Sequence, residues 1–159
     1  MNIIQRTVAV IALAVPVAAA AEIAEDLEKK ALGYWAPDIE AMTEAFTEKM
    51  GLGEEDAAMA VAEFAKFTVH VEPGKVHLYT EQGTISMPYE ILEADKAAKT
   101  LTLRAVGPPD APKSAPVKIA IKDDRIDVQG GQTPFVLGKI DEDEFKKRKA
   151  ALPAHEAGP

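Results

Sequence analysis

A change in the spacing of apolar residues near position 67 constrains the fold most. From there to position 137, apolar and polar residues alternate in short runs separated by turn-forming pairs. Such runs predict antiparallel strands joined in sequence order, with one face of the sheet in water. We therefore expect an α+β fold that is mainly β: a meander of about seven strands, curled by strand twist into a small barrel or half-barrel.

Two tight turns also predict the register of the strands that they join. Only one register keeps the apolar residues of both strands on the same face, because a slip by one residue reverses the faces. The expected pairs are Glu72 with Lys75, Val71 with Val76, Val69 with Leu78, Lys122 with Arg125, Ile121 with Ile126 and Ile119 with Val128.

Helices are predicted on both sides of the strand region. Residues 22–32 repeat apolar side chains at helical spacing, and a short extended segment at 34–35 follows, which is expected to be the first short strand. Residues 38–64 then predict a helical pair, with Asp38 as the cap or first-turn acid of the first helix and Gly51 as its end. Acids followed by bases at 141–149 predict a C-terminal helix, because this order suits the helix dipole.

The N-terminal residues indicate export. Arg6 precedes an uncharged apolar run at 7–20, which ends in the small residues 18–21. This pattern is typical of a signal peptide, so we assign residues 1–21 to one and expect a periplasmic or secreted protein. The alternative is an uncleaved anchor, although the run is short for a membrane span and contains Pro16.

The remaining chain is expected to form one domain at 22–152 and a flexible tail at 153–159. It contains no Cys, which excludes disulfides and a lipid-modified N-terminal Cys. The net charge of −8 argues against nucleic acid and anionic lipid as partners. No stable membrane span is expected once the signal peptide is removed.

The short extended segment carries a family resemblance. Gly33-Tyr34-Trp35 matches the G-x-W of the first strand in lipocalins and fatty-acid-binding proteins, and Asp38 extends the match to G-x-W-x-x-D. With the helical pair and meander that follow, the chain resembles small exported lipocalin-like, calycin-type bacterial domains. The resemblance implies a barrel scaffold. The R-x-Y motif that holds the carboxylate in fatty-acid-binding proteins has no counterpart at 135–140.

Apolar residues on the inner face are candidates for lining a ligand pocket. The alternative is that these side chains simply fill the core, as in other small barrels, and the single Trp is expected to be buried. The candidates are Trp35, Phe67, Val69, Leu78, Met87, Tyr89 and Leu103.

Two histidines are candidate metal ligands on the polar face. In the predicted register His70 lies opposite His77, with Cβ atoms about 5 Å apart, so the two imidazoles could share a divalent cation. The alternative is a pair of surface histidines, because a stable site needs further ligands. No cofactor is expected.

Enzyme chemistry is not indicated. There is no thiol, and neither Ser86 nor Ser114 lies in a G-x-S-x-G motif. We therefore expect an exported, non-enzymatic lipocalin-like domain that binds a small apolar or amphiphilic ligand. The alternative is a protein-interaction or envelope accessory module with a solid core and a protein partner. A cavity of several hundred Å³ distinguishes the two.

Overall fold

The computed structural model describes residues 17–130 and 133–153. Within these residues, eight strands form a closed antiparallel barrel in sequence order, with the last strand paired to the first. The strands are β1 (Gly33–Pro37), β2 (Thr68–Glu72), β3 (Lys75–Thr80), β4 (Gly83–Asp95), β5 (Thr100–Ala105), β6 (Val117–Ile121), β7 (Arg125–Gln129) and β8 (Phe135–Ile140). The helices are α1 (Val17–Ala31), α2 (Ile39–Met50), α3 (Glu54–Ala62) and α4 (Glu142–Ala151), and a 3₁₀ turn at Glu63–Lys66 follows α3.

The predicted fold class is confirmed: a mainly β antiparallel barrel, with a helical pair after the first strand and a C-terminal helix. The expected first short strand is β1, and with it the described chain has eight strands where about seven were predicted. It pairs with both β2 and β8 and so closes the barrel.

Most of the predicted signal peptide, residues 1–16, lies outside the described residues, as do residues 154–159 of the predicted tail. The first helix begins at Val17, earlier than the predicted start at 22. None of the helices in the described ranges has the length and apolar character needed to cross a membrane.

Both predicted hairpin registers are confirmed. Val69 pairs with Leu78 and Glu72 pairs with Lys75 in the first hairpin. In the second, Ile119 pairs with Val128 and Ile121 with Ile126, and the Lys122 N–H donates to the Arg125 carbonyl at 2.8 Å. The apolar members of these pairs face the barrel interior, where they pack against one another.

Strand β4 changes partner along its length. Its residues 83–88 pair with β3 and its residues 89–95 pair with β5. A β-bulge between Ile91 and Glu93 shifts the alternation by one residue and leaves Leu92 exposed. The first half of β4 therefore pairs on one side only, among the strands that the structure describes.

Trp35 joins the first helix to the barrel. Its side chain is 0% exposed, as expected, and its Nε1–H donates to the Ala31 carbonyl at 2.8 Å. The buried Thr68 hydroxyl donates to the Trp35 carbonyl at 3.0 Å. Leu27 of α1 packs in the same cluster, so α1 is anchored on the barrel core.

The other helices pack on the outer face. Met42 of α2 and Val61 of α3 form a second cluster with Val136 of β8. Asp38 caps α2 by accepting a hydrogen bond from the Ala41 N–H at 3.0 Å, as its position in the sequence predicts. Phe145 of α4 is buried, and its ring centroid lies 4.4 Å from that of Tyr34. This packing was not predicted from the sequence.

Candidate functional site

The barrel interior contains a cavity of about 510 Å³ that is partly open to solvent. This volume lies within the range of about 300–1,000 Å³ that is typical of small-molecule sites. The lining is apolar except for Glu28 and Tyr89. Most of it is formed by inward residues of the strands, because alternate side chains of a closed barrel point to its interior. Glu28 and Ala31 of α1 and Phe64 of the 3₁₀ turn complete it.

Six of the seven predicted pocket residues line this cavity. Trp35 is the exception: it packs in the adjoining core, where the Lys139 Nζ lies 5.4 Å from its ring centroid. The six that line the cavity are Phe67, Val69, Leu78, Met87, Tyr89 and Leu103.

Apolar side chains on one side of the cavity remain open to solvent. Met87 is 37% exposed and Val117 is 42% exposed, although both line the cavity. Ile85 lies two residues before Met87, on the same face of β4, and is 50% exposed. Ile85 and Met87 lie in the half of β4 that pairs only with β3, and Val117 is the first residue of β6, paired with Leu103 of β5. We define Ile85, Met87 and Val117 as the apolar rim, and we infer that the cavity opens there.

A polar pair interrupts the apolar lining. The Tyr89 hydroxyl donates to Glu28 Oε1 at 2.6 Å, and the Gly74 N–H donates to the same oxygen at 3.0 Å. Burial and the hydrogen bond to the Glu28 carboxylate both raise the pKa of Tyr89, so its hydroxyl keeps its proton and remains a donor. Glu28 could not be predicted from the sequence, because its partner Tyr89 lies far along the chain and no local motif links the two.

The two candidate metal ligands lie opposite each other, as predicted, on the outer face. Their ring centroids are 5.9 Å apart. Both ring nitrogens of His77 already have partners: Nδ1 lies 2.7 Å from Ser86 Oγ, and Nε2 lies 3.0 Å from Glu72 Oε2. Within residues 17–130 and 133–153, no three His, Asp or Glu side chains are grouped to hold a metal ion. Metal binding by His70 and His77 stays a prediction.

The Ser86 hydroxyl, the His77 imidazole and the Glu72 carboxylate are linked by hydrogen bonds. Such an arrangement can activate a serine as a nucleophile. It lies on the outer face of the barrel, since His77 and Ser86 alternate with the cavity residues Leu78 and Met87. The sheet therefore separates these three side chains from the cavity. Their hydrogen bonds fix the orientation of the His77 ring, and the hydrogen bond from His77 lowers the pKa of Glu72.

Comparison of the chain with protein-family models, curated proteins and solved structures gave no match. The class of protein therefore rests on the architecture. A closed barrel of eight antiparallel strands with a few accessory helices is consistent with a calycin-like fold.

Proposed function

We propose that this protein is an exported, non-enzymatic lipocalin-like domain that binds a small apolar or amphiphilic molecule inside its barrel. The observation that carries the proposal is the apolar cavity of about 510 Å³ with its exposed apolar rim. A module with a solid core would fill this space with its own side chains, since protein interiors are close-packed.

The energetic argument is the transfer of hydrocarbon out of water. Each Å² of apolar ligand surface removed from water contributes about 25 cal/mol. The cavity lining offers few polar groups to hydrate, and apolar cavities of this kind accept apolar guests in place of water. At the proposed opening, the rim residues Met87 and Val117 are apolar, which also favours an apolar ligand.

A titration with the neutral dye Nile red tests this proposal. We expect its fluorescence to rise and saturate at one dye per chain, and decanol to displace it. A Leu103→Trp variant should weaken dye binding by about tenfold or more, because the indole occupies the cavity. The control is Met59→Trp, at a position of α3 that is 67% exposed. Absence of saturable binding to the unaltered protein would contradict the proposal.

The proposal includes export to the periplasm or outside the cell, with residues 1–21 as the signal peptide. The motivation is the charged start, short apolar run and small-residue end of that segment. The intact mass of the protein, purified from its source, tests this directly. We expect a chain that lacks the segment through position 21, and a mass that retains Arg6 would contradict it.

A further inference from the structure

We propose that the cavity selects amphiphiles whose polar end is a primary amine, and that the Glu28 carboxylate holds the ammonium group. This inference rests on the proposed function, because it names the ligand class for the same cavity. Glu28 is the one Asp or Glu among the described residues that line the cavity. No Lys, Arg or His of the described chain lines it.

The carboxylate of Glu28 is held in place and keeps free acceptor capacity. Its Oε1 accepts hydrogen bonds from the Tyr89 hydroxyl and from the Gly74 N–H. Its Oε2 accepts none from the residues that the structure describes. A carboxylate has about four lone-pair sites, and an ammonium group has three donors and no acceptor. The free oxygen therefore suits an ammonium group.

The neighbouring groups disfavour an acid at this position. The Tyr89 hydroxyl already donates to Glu28 and so is not available to a ligand carboxylate. An alkyl carboxylate would bring a second negative charge beside Glu28 with no cation in the lining to offset it. The net charge of −8 also repels an anionic ligand and attracts a cationic one over longer distances. An alcohol can hydrogen-bond to Glu28 but lacks the charge.

The test compares three ligands with the same alkyl chain: decylamine, decanol and decanoate. Each competes with Nile red at neutral pH, on the purified protein. The amine gains a charge-assisted hydrogen bond to Glu28, whereas the carboxylate meets repulsion from it. Together these effects give about a tenfold or larger preference for the amine over the carboxylate. Decanol is expected to fall between them. In Glu28→Gln the preference should shrink towards unity, while the affinity for decanol should change little.

The matched control is Asp26→Asn, which removes one negative charge from an exposed position of the same helix. It should keep the preference of the unaltered protein. If Asp26→Asn and Glu28→Gln reduce the preference equally, net charge accounts for it and the assignment to Glu28 is overturned. Tyr89→Phe should retain the preference for the amine, because the carboxylate remains.

Failure of this inference can be told apart from failure of the proposed function. If decanol displaces Nile red but decylamine binds no more tightly than decanoate, the barrel binds ligands and the amine selectivity is wrong. This comparison needs no variant, so it stands even if Glu28→Gln fails to fold. If none of the three ligands displaces the dye, the inference and the proposed function both fail.

Discussion

Substitution of a larger side chain at the cavity should show whether the barrel interior contains a cavity or is fully packed. Leu103 lines the cavity at the middle of β5, where it pairs with Ile91 and Val117. A Trp at position 103 would extend into the cavity of about 510 Å³. We expect Leu103→Trp to change the free energy of unfolding by less than about 1 kcal/mol, because new contacts in the cavity offset small local adjustments.

The matched control is Ile121→Trp. Ile121 is also buried in the barrel core but does not line the cavity. The added volume must there displace packed neighbours, and such overpacking costs about 1–3 kcal/mol. Urea unfolding followed by circular dichroism measures both variants. An equal loss of stability in the two variants would contradict this expectation, because it would mean that position 103 is as tightly packed as position 121.

Three further predictions concern single side chains. Trp35→Phe should lower the free energy of unfolding by about 2 kcal/mol, because it leaves the buried Ala31 carbonyl without its donor and a void beside it; an unchanged urea midpoint would contradict this. Asp38→Ala should cost about 1 kcal/mol by removing the cap of α2, and Asp38→Asn should recover most of it; equal losses in both would exclude capping as the cause. The hydrogen bond from His77 lowers the pKa of Glu72 in the folded protein. Its contribution to stability is therefore present above the unfolded-state pKa and lost as the pH falls through the folded value. Glu72→Gln should flatten the acid limb of a stability–pH curve, and superimposable limbs would contradict the assignment.

The sequence alone was enough to predict the hairpins. In the β2–β3 hairpin, Glu72 pairs with Lys75 and Val69 with Leu78, because a two-residue turn and one apolar face leave a single register. The same local logic predicted the cap at Asp38 and the burial of the single Trp. Six pocket residues followed from the alternation itself, since it determines which side chains point inward.

Contacts between distant segments were beyond such reasoning. Closure of the barrel depends on Trp35 pairing with Lys139, two positions that no turn connects. The bulge beside Leu92 interrupts the alternation between Ile91 and Ala94, and in the sequence such a break is equally compatible with the end of a strand. Glu28 is adjacent in sequence to the apolar stripe of α1, and its hydrogen bond with Tyr89 forms only in the folded barrel. Phe145 is flanked in the sequence by charged residues, so its packing on Tyr34 could not be predicted from an apolar pattern.

We propose that the closed barrel holds a small apolar ligand among its inward side chains. Nuclear Overhauser effects between decanol and the methyl-labelled protein test it most directly. We expect contacts from the decanol chain to the methyl groups of Leu78 and Leu103, which line the cavity, and none to the exposed Met59. Contacts to Met59 with none to Leu78 or Leu103 would contradict it.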